Sequence, residues 1–132
     1  MIEFIKVYNG RLIPRKLIEQ TPRGNAEQFY SYLKDAGKFA NAFLYGIIDN
    51  EHEIKGYIWY QVNMMDMSMF INTLSICDEW KHTDKLSKIV ELIKQEASDM
   101  NIHKIYFLTD KPTLYEKFGM CKTNESLLVG EV

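Results

Sequence analysis

Apolar residues along the chain follow two periods, near two and near 3.6, and the switches between them mark out the elements. Residues 2–8 alternate, Ile2, Phe4 and Tyr8 against Glu3, Ile5 and Val7, and predict a strand that Lys6 interrupts. Residues 11–24 carry no period and read as irregular. A helix is predicted from about Ala26 to Ala36, with Phe29, Leu33 and Ala36 on one face and Tyr32 at its edge. Asn25 is its cap, Gln28 holds the capping-box position and Gly37 closes the end.

Two strands follow, 42–48 and 54–62, joined by a short hairpin turn over 49–53. Strict alternation puts Ile54, Gly56, Ile58, Tyr60 and Val62 on one face. A third strand, 67–76, would likewise align Phe70, Asn72, Leu74 and Ile76. A long helix is predicted from Asp84 to Ser98, its apolar stripe made by Leu86, Ile89, Val90, Ile93 and Ala97. Residues 102–109 read as a strand, 113–118 as a short helix ended by Gly119, and 120–129 as one or two more strands. Three consecutive strands, then a helix crossing over to another, give an α+β (mixed α/β) fold. Its centre is a mixed, mostly antiparallel sheet flanked by helices, with a right-handed crossover. No repeat, linker or low-complexity run divides the chain, so residues 1–132 are expected to form one domain.

Composition narrows the function classes. Apolar residues make up 46% and charged residues 26% of the 132, an ordinary globular balance. The net charge of −2 argues against a broad electrostatic grip on nucleic acid and leaves only a local basic patch open. No apolar run approaches the ~18 residues of a membrane span, and Met1-Ile2-Glu3-Phe4 does not begin a signal peptide. A cytoplasmic protein without a membrane partner is the expectation. Cys77 and Cys121 are expected to be free, buried thiols. His52, His82 and His103 have no metal-ligand spacing, so no metal is expected.

Two stretches could carry chemistry. The loop from the third strand into the long helix bears Lys81 and Lys85, with Thr83 or Asp84 as cap. Free N–H groups and the dipole at such a junction favour an anion. On local pattern alone it is a capped helix with solvated lysines. The second stretch is Leu114-Tyr115-Glu116-Lys117-Phe118-Gly119-Met120, which alone would be core packing.

In this order the two stretches resemble the GNAT superfamily of N-acetyltransferases. That family shows V-x-P-E-Y-R-G-x-G-x-G opening a helix, then a strand, then F-Y-x-x-x-G-F. Ile76 matches the valine, Glu79 and Trp80 the acidic and aromatic pair, and Lys81 the basic residue. Tyr115, Gly119 and Met120 match the later tyrosine, glycine and aromatic. The resemblance covers about Phe43 to Val129. The family's loop glycines fall on His82 and Asp84, and a loop without them resembles those of compact phage-type relatives. Histidine adds bulk where glycine permits positive φ and a close backbone approach. Asp84 adds a like charge near two phosphates. Binding is then weakened, the loop is shaped differently, or the site has been lost.

The resemblance implies an acetyl-CoA-dependent transfer to an amine, on a small molecule or a protein. Leu74, Ser75 and Ile76 would pair with the pantetheine arm. Lys81, His82, Thr83, Asp84, Lys85 and Leu86 would meet the pyrophosphate. Tyr115 would be the general acid on the leaving thiolate, or else a core tyrosine. For the general base the candidates are Asp66, a water relay and His103. Tyr30, Tyr32, Trp59 and the 64–67 stretch are candidates for the acceptor side. The alternative is a non-catalytic GNAT-fold module that binds a partner through Tyr57 and Trp59. A homodimer is compatible with either reading.

Overall fold

The computed structural model describes residues 1–7, 9–32 and 42–132, Tyr32 by its backbone alone. Tyr8, Leu33, Ala36 and Gly37, which the sequence assigned to a strand and a helix, lie outside these. The described elements are β1 (Glu3–Lys6), α1 (Arg15–Glu19), α2 (Ala26–Tyr32), β2 (Ala42–Ile48), β3 (Ile54–Asn63), β4 (Ser68–Ile76), α3 (Asp84–Asp99), β5 (Lys104–Phe107) and α4 (Thr113–Glu116). The described strands lie in one sheet in chain order, β1 to β4 antiparallel and β5 parallel to β4. This is the mixed, mostly antiparallel sheet that the periodicities implied.

Helices cover both faces. On one, the α3 stripe of Leu86, Ile89, Val90, Ile93 and Ala97 packs with Ile58, Tyr60, Met69 and Ile71 of the sheet and with Tyr115 of α4. On the other, Leu17 and Ile18 of α1 and Ala26 of α2 pack with Ile13 and Tyr57. Asn25 does cap α2, its Oδ1 accepting from the Gln28 N–H at 3.2 Å. Thr83 caps α3 in the same way, through the Lys85 N–H.

Two bulges account for the faces that strict alternation misassigned, because one extra residue reverses the side-chain phase. Ile48 pairs with Ile54 but Ile47 with Gly56, so Lys55 is the extra residue and Ile54 turns to the α1–α2 face. Tyr60 pairs with Ile71 but Trp59 with Thr73, so Asn72 is extra. Met69 and Ile71 before it, and Leu74 and Ile76 after it, therefore share the α3 face.

Other expectations are corrected. The segment read as irregular contains α1, a helix too short to show a period, preceded by Pro14 and anchored by buried Leu17 and Ile18. Residues 120–129 form no strand, and every residue of 121–132 is exposed. Cys121 is therefore exposed, and Cys77 is only half-buried; both are free. Tyr57, offered as an exposed partner-binding ring, is 2% exposed. No described helix is long and apolar enough to cross a membrane.

Candidate functional site

The Asn72 bulge does more than reverse a face. β4 pairs with β5 only over Ser68–Ile71, and the last bond runs from the Leu108 N–H to the Ile71 carbonyl at 3.1 Å. Beyond that point the two strands part, and a cavity of about 450 Å³ fills the gap. The Cys77 N–H donates to Lys55 on the β3 side. By strand alternation, the backbone groups of Leu74 and Ile76 then face the open side. Gln20 confirms this for Ile76: its Nε2 donates to the Ile76 carbonyl at 2.6 Å and to Ser75 Oγ at 2.7 Å. Ser75 Oγ in turn donates to the Leu17 carbonyl, so α1 is tied to the cavity wall.

This cavity gathers Leu74, Ser75, Ile76, Lys81, His82 and Tyr115 of the residues the sequence singled out. Tyr115 is buried, its ring stacked on Phe107 with centroids 4.5 Å apart. Burial pushes its hydroxyl up to about 12, with the Asp110 carboxylate adding to the rise. The hydroxyl is thus a proton donor at neutral pH. Lys81 reaches the cavity while bonded to Asp78 at 2.9 Å, and the ammonium holds the Asp78 carboxyl below its usual range. Asp110, Lys111 and Lys117 line the cavity as well. None of them was given a site role from the sequence, although Lys117 falls within the tyrosine stretch and Lys111 just before it. Gln20 offered none, since it lay in a stretch without period.

His82 has a φ of 62°, the left-handed conformation that glycine adopts without cost. The loop therefore makes the turn of the glycine it lacks. Relief of ~1–2 kcal/mol, less ~0.5–1 kcal/mol for glycine's greater chain entropy, should make His82→Gly more stable by about 1 kcal/mol or less. Thermal melting checks this: a rise of a few degrees is expected, and a fall would mean that the imidazole is making a contact of its own.

The remaining sequence candidates lie outside the cavity lining. Asp84 is exposed in the first turn of α3, with Oδ2 at 3.3 Å from Lys88. Lys85 lies over the Trp80 ring, its ammonium 5.2 Å from the centroid. Leu86 is fully buried in the core. Asp66 sits in the β3–β4 turn and accepts from Ser68 Oγ at 2.7 Å. At ~3.3 Å per residue, Ser68 is roughly 20 Å along β4 from Leu74. His103, exposed just before β5, is at that same far end.

A second cavity, of about 470 Å³, lies under the α1–α2 layer and shares Asn72 and Thr73 with the first. Of the acceptor-side candidates, Trp59 lines it. Tyr30 instead donates its hydroxyl to the Ile13 carbonyl. Met64 and Met65 are exposed at the β3–β4 hairpin tip, and the side chain of Tyr32 is outside the described residues.

No protein-family model matches the chain, and no curated protein matches its sequence. Solved structures do match its fold. An aminoglycoside antibiotic 6'-N-acetyltransferase from Acinetobacter baumannii superposes with a TM-score of 0.77 at 6% identity, covering 100% of this chain and 99% of that one. A predicted acetyltransferase from Clostridium acetobutylicum, crystallised with acetyl-CoA, gives 0.69 at 17% identity over 98% and 96%. Glucosamine-6-phosphate N-acetyltransferase from Arabidopsis thaliana gives 0.66 at 15% identity over 100% and 98%. The chain has the fold of the GNAT acetyltransferases.

Proposed function

We propose that the chain is a single-domain, acetyl-CoA-dependent N-acetyltransferase. The observation that carries this reading is the parting of β4 from β5 at the Asn72 bulge, which leaves strand-edge groups facing a cavity that Tyr115 lines. An extended amide-bearing arm can add to such an edge as another strand would. Leu74 and Ile76 would pair with the pantetheine, once Gln20 has released the Ile76 carbonyl. Lys81, His82 and the backbone of Thr83 to Leu86 would meet the pyrophosphate, where the first free N–H groups of α3 favour an anion. Asp84, already paired with Lys88, would repel it less than its sequence position implied.

The amine would come from the second cavity, since Asn72 and Thr73 border both. Its nitrogen forms a bond to the acetyl carbonyl carbon and the carbon–sulfur bond breaks. A backbone N–H at the bulge would stabilise the oxyanion, and Tyr115 would deliver a proton to the departing sulfur. The described lining of the second cavity includes no carboxylate or imidazole. The amine's excess proton is therefore assigned to a water relay, and Asp66 to holding Ser68.

Thermal melting with and without acetyl-CoA tests the reading. At a hundred times its dissociation constant the ligand should add about 2.7 kcal/mol; no shift at millimolar acetyl-CoA would favour a non-catalytic binding module. Lys81→Glu places a negative charge at the phosphates and should weaken acetyl-CoA about tenfold at low salt, and less at high salt. Titration calorimetry at two ionic strengths checks that. Affinity indifferent to the change would move the pyrophosphate elsewhere.

A further inference from the structure

The second cavity has a chemistry of its own. Phe29 meets Trp59 edge-on, centroids 5.6 Å apart, and lies tilted against the buried Tyr57 at 5.7 Å, so Phe29 and Trp59 build an aromatic wall that Tyr57 supports. Such a wall takes a further ring at ~4.5–7 Å between centroids, offset or edge-on. Arg23 stands at the same cavity. Among the described residues its guanidinium has no ion-pair or hydrogen-bond partner, whereas Arg15 is bonded to both Glu19 and Glu27. The Arg23 backbone is held at a φ of 61°, an uncommon conformation for a residue with a side chain, beside Gly24. An unpaired guanidinium suits a carboxylate, which it can grip with two parallel hydrogen bonds.

Resting on the acetyl-transfer reading above, we propose that this cavity takes an aromatic α-amino acid as the acceptor. Its ring lies against Phe29 and Trp59, its carboxylate on Arg23, and its amino nitrogen toward Asn72 and Thr73, which border both cavities. The volume of about 470 Å³ holds one such molecule with room for the water that carries the proton away.

Titration calorimetry on the full chain, with and without saturating coenzyme A, tests this with three probes. L-Phenylalanine should bind saturably, phenethylamine (which lacks the carboxylate) at least tenfold more weakly, and spermidine not measurably. Arg23→Gln should bring L-phenylalanine down to the level of phenethylamine and leave phenethylamine unchanged. Trp59→Leu should weaken both. Spermidine binding as well as L-phenylalanine, no binding by either aromatic probe, or equal loss of both probes in Arg23→Gln would overturn the assignment. The titration without coenzyme A needs no acyl donor. Failure of acetyl-CoA to bind, beside normal binding of the aromatic probes, would therefore end the acetyltransferase reading and with it the acceptor role, while leaving an aromatic amino-acid site. Failure of the aromatic probes beside normal acetyl-CoA binding would end only this assignment.

Discussion

Tyr115→Phe is expected to slow acetyl transfer about 100-fold or more, the usual range for loss of a positioned general acid. Affinity for acetyl-CoA and the melting temperature should hardly move. The substitution removes one hydroxyl and keeps the ring, so the stack on Phe107 survives. The loss should fall on kcat, since the proton is delivered only as the carbon–sulfur bond breaks. The pH dependence has a definite sign. Burial raises the hydroxyl in the folded state to about 12, above the ordinary value of ~10. The protonated, folded form is therefore favoured fully below pH ~10, and the advantage is lost between ~10 and 12. No alkaline fall in rate below pH ~10 should come from Tyr115 itself. Steady-state kinetics on the two proteins decide the matter: a rate within threefold of wild type would make Tyr115 a core residue and nothing more.

Leu86→Ala should destabilise the fold by about 2–5 kcal/mol, a large share of the ~5–15 kcal/mol a domain has. Leu86 is fully buried in the first turn of α3 and packs that turn onto the sheet. Truncation leaves a cavity under the helix start that holds the Lys81–Thr83 loop in place. Stability and anion binding should therefore fall together. Denaturant unfolding measures the first, expected at an unchanged slope, and acetyl-CoA titration below the new melting point measures the second. A loss under 1 kcal/mol would mean that the helix start is held by the Thr83 cap and not by packing.

The periodic parts of the molecule were legible in the sequence. The α3 stripe is a five-residue apolar pattern long enough to read, and the 42–48 and 54–62 segments match β2 and β3 within one residue. The bulges at Lys55 and Asn72 were not legible, because an inserted residue looks like ordinary alternation until its partner strand is known. Asn72 matters most, since the parting of β4 from β5 begins beside it. The tyrosine and the lysine of the site stood out only in combination with the loop, while Gln20 and the Phe29–Trp59 wall depend on elements far apart in the chain. The tail was misread because Leu127, Leu128 and Val129 suit a strand, yet all three are exposed.

In the proposed function an acyl-CoA lies along the edge of β4 that β5 leaves open. Backbone amide chemical shifts, followed by nuclear magnetic resonance during titration with acetyl-CoA, report that placement residue by residue. The largest changes are expected at Leu74, Ile76 and the residues from Lys81 to Leu86, with a smaller set around Tyr115. Saturating changes confined to β1 and β2, or no change at millimolar acetyl-CoA, would contradict it.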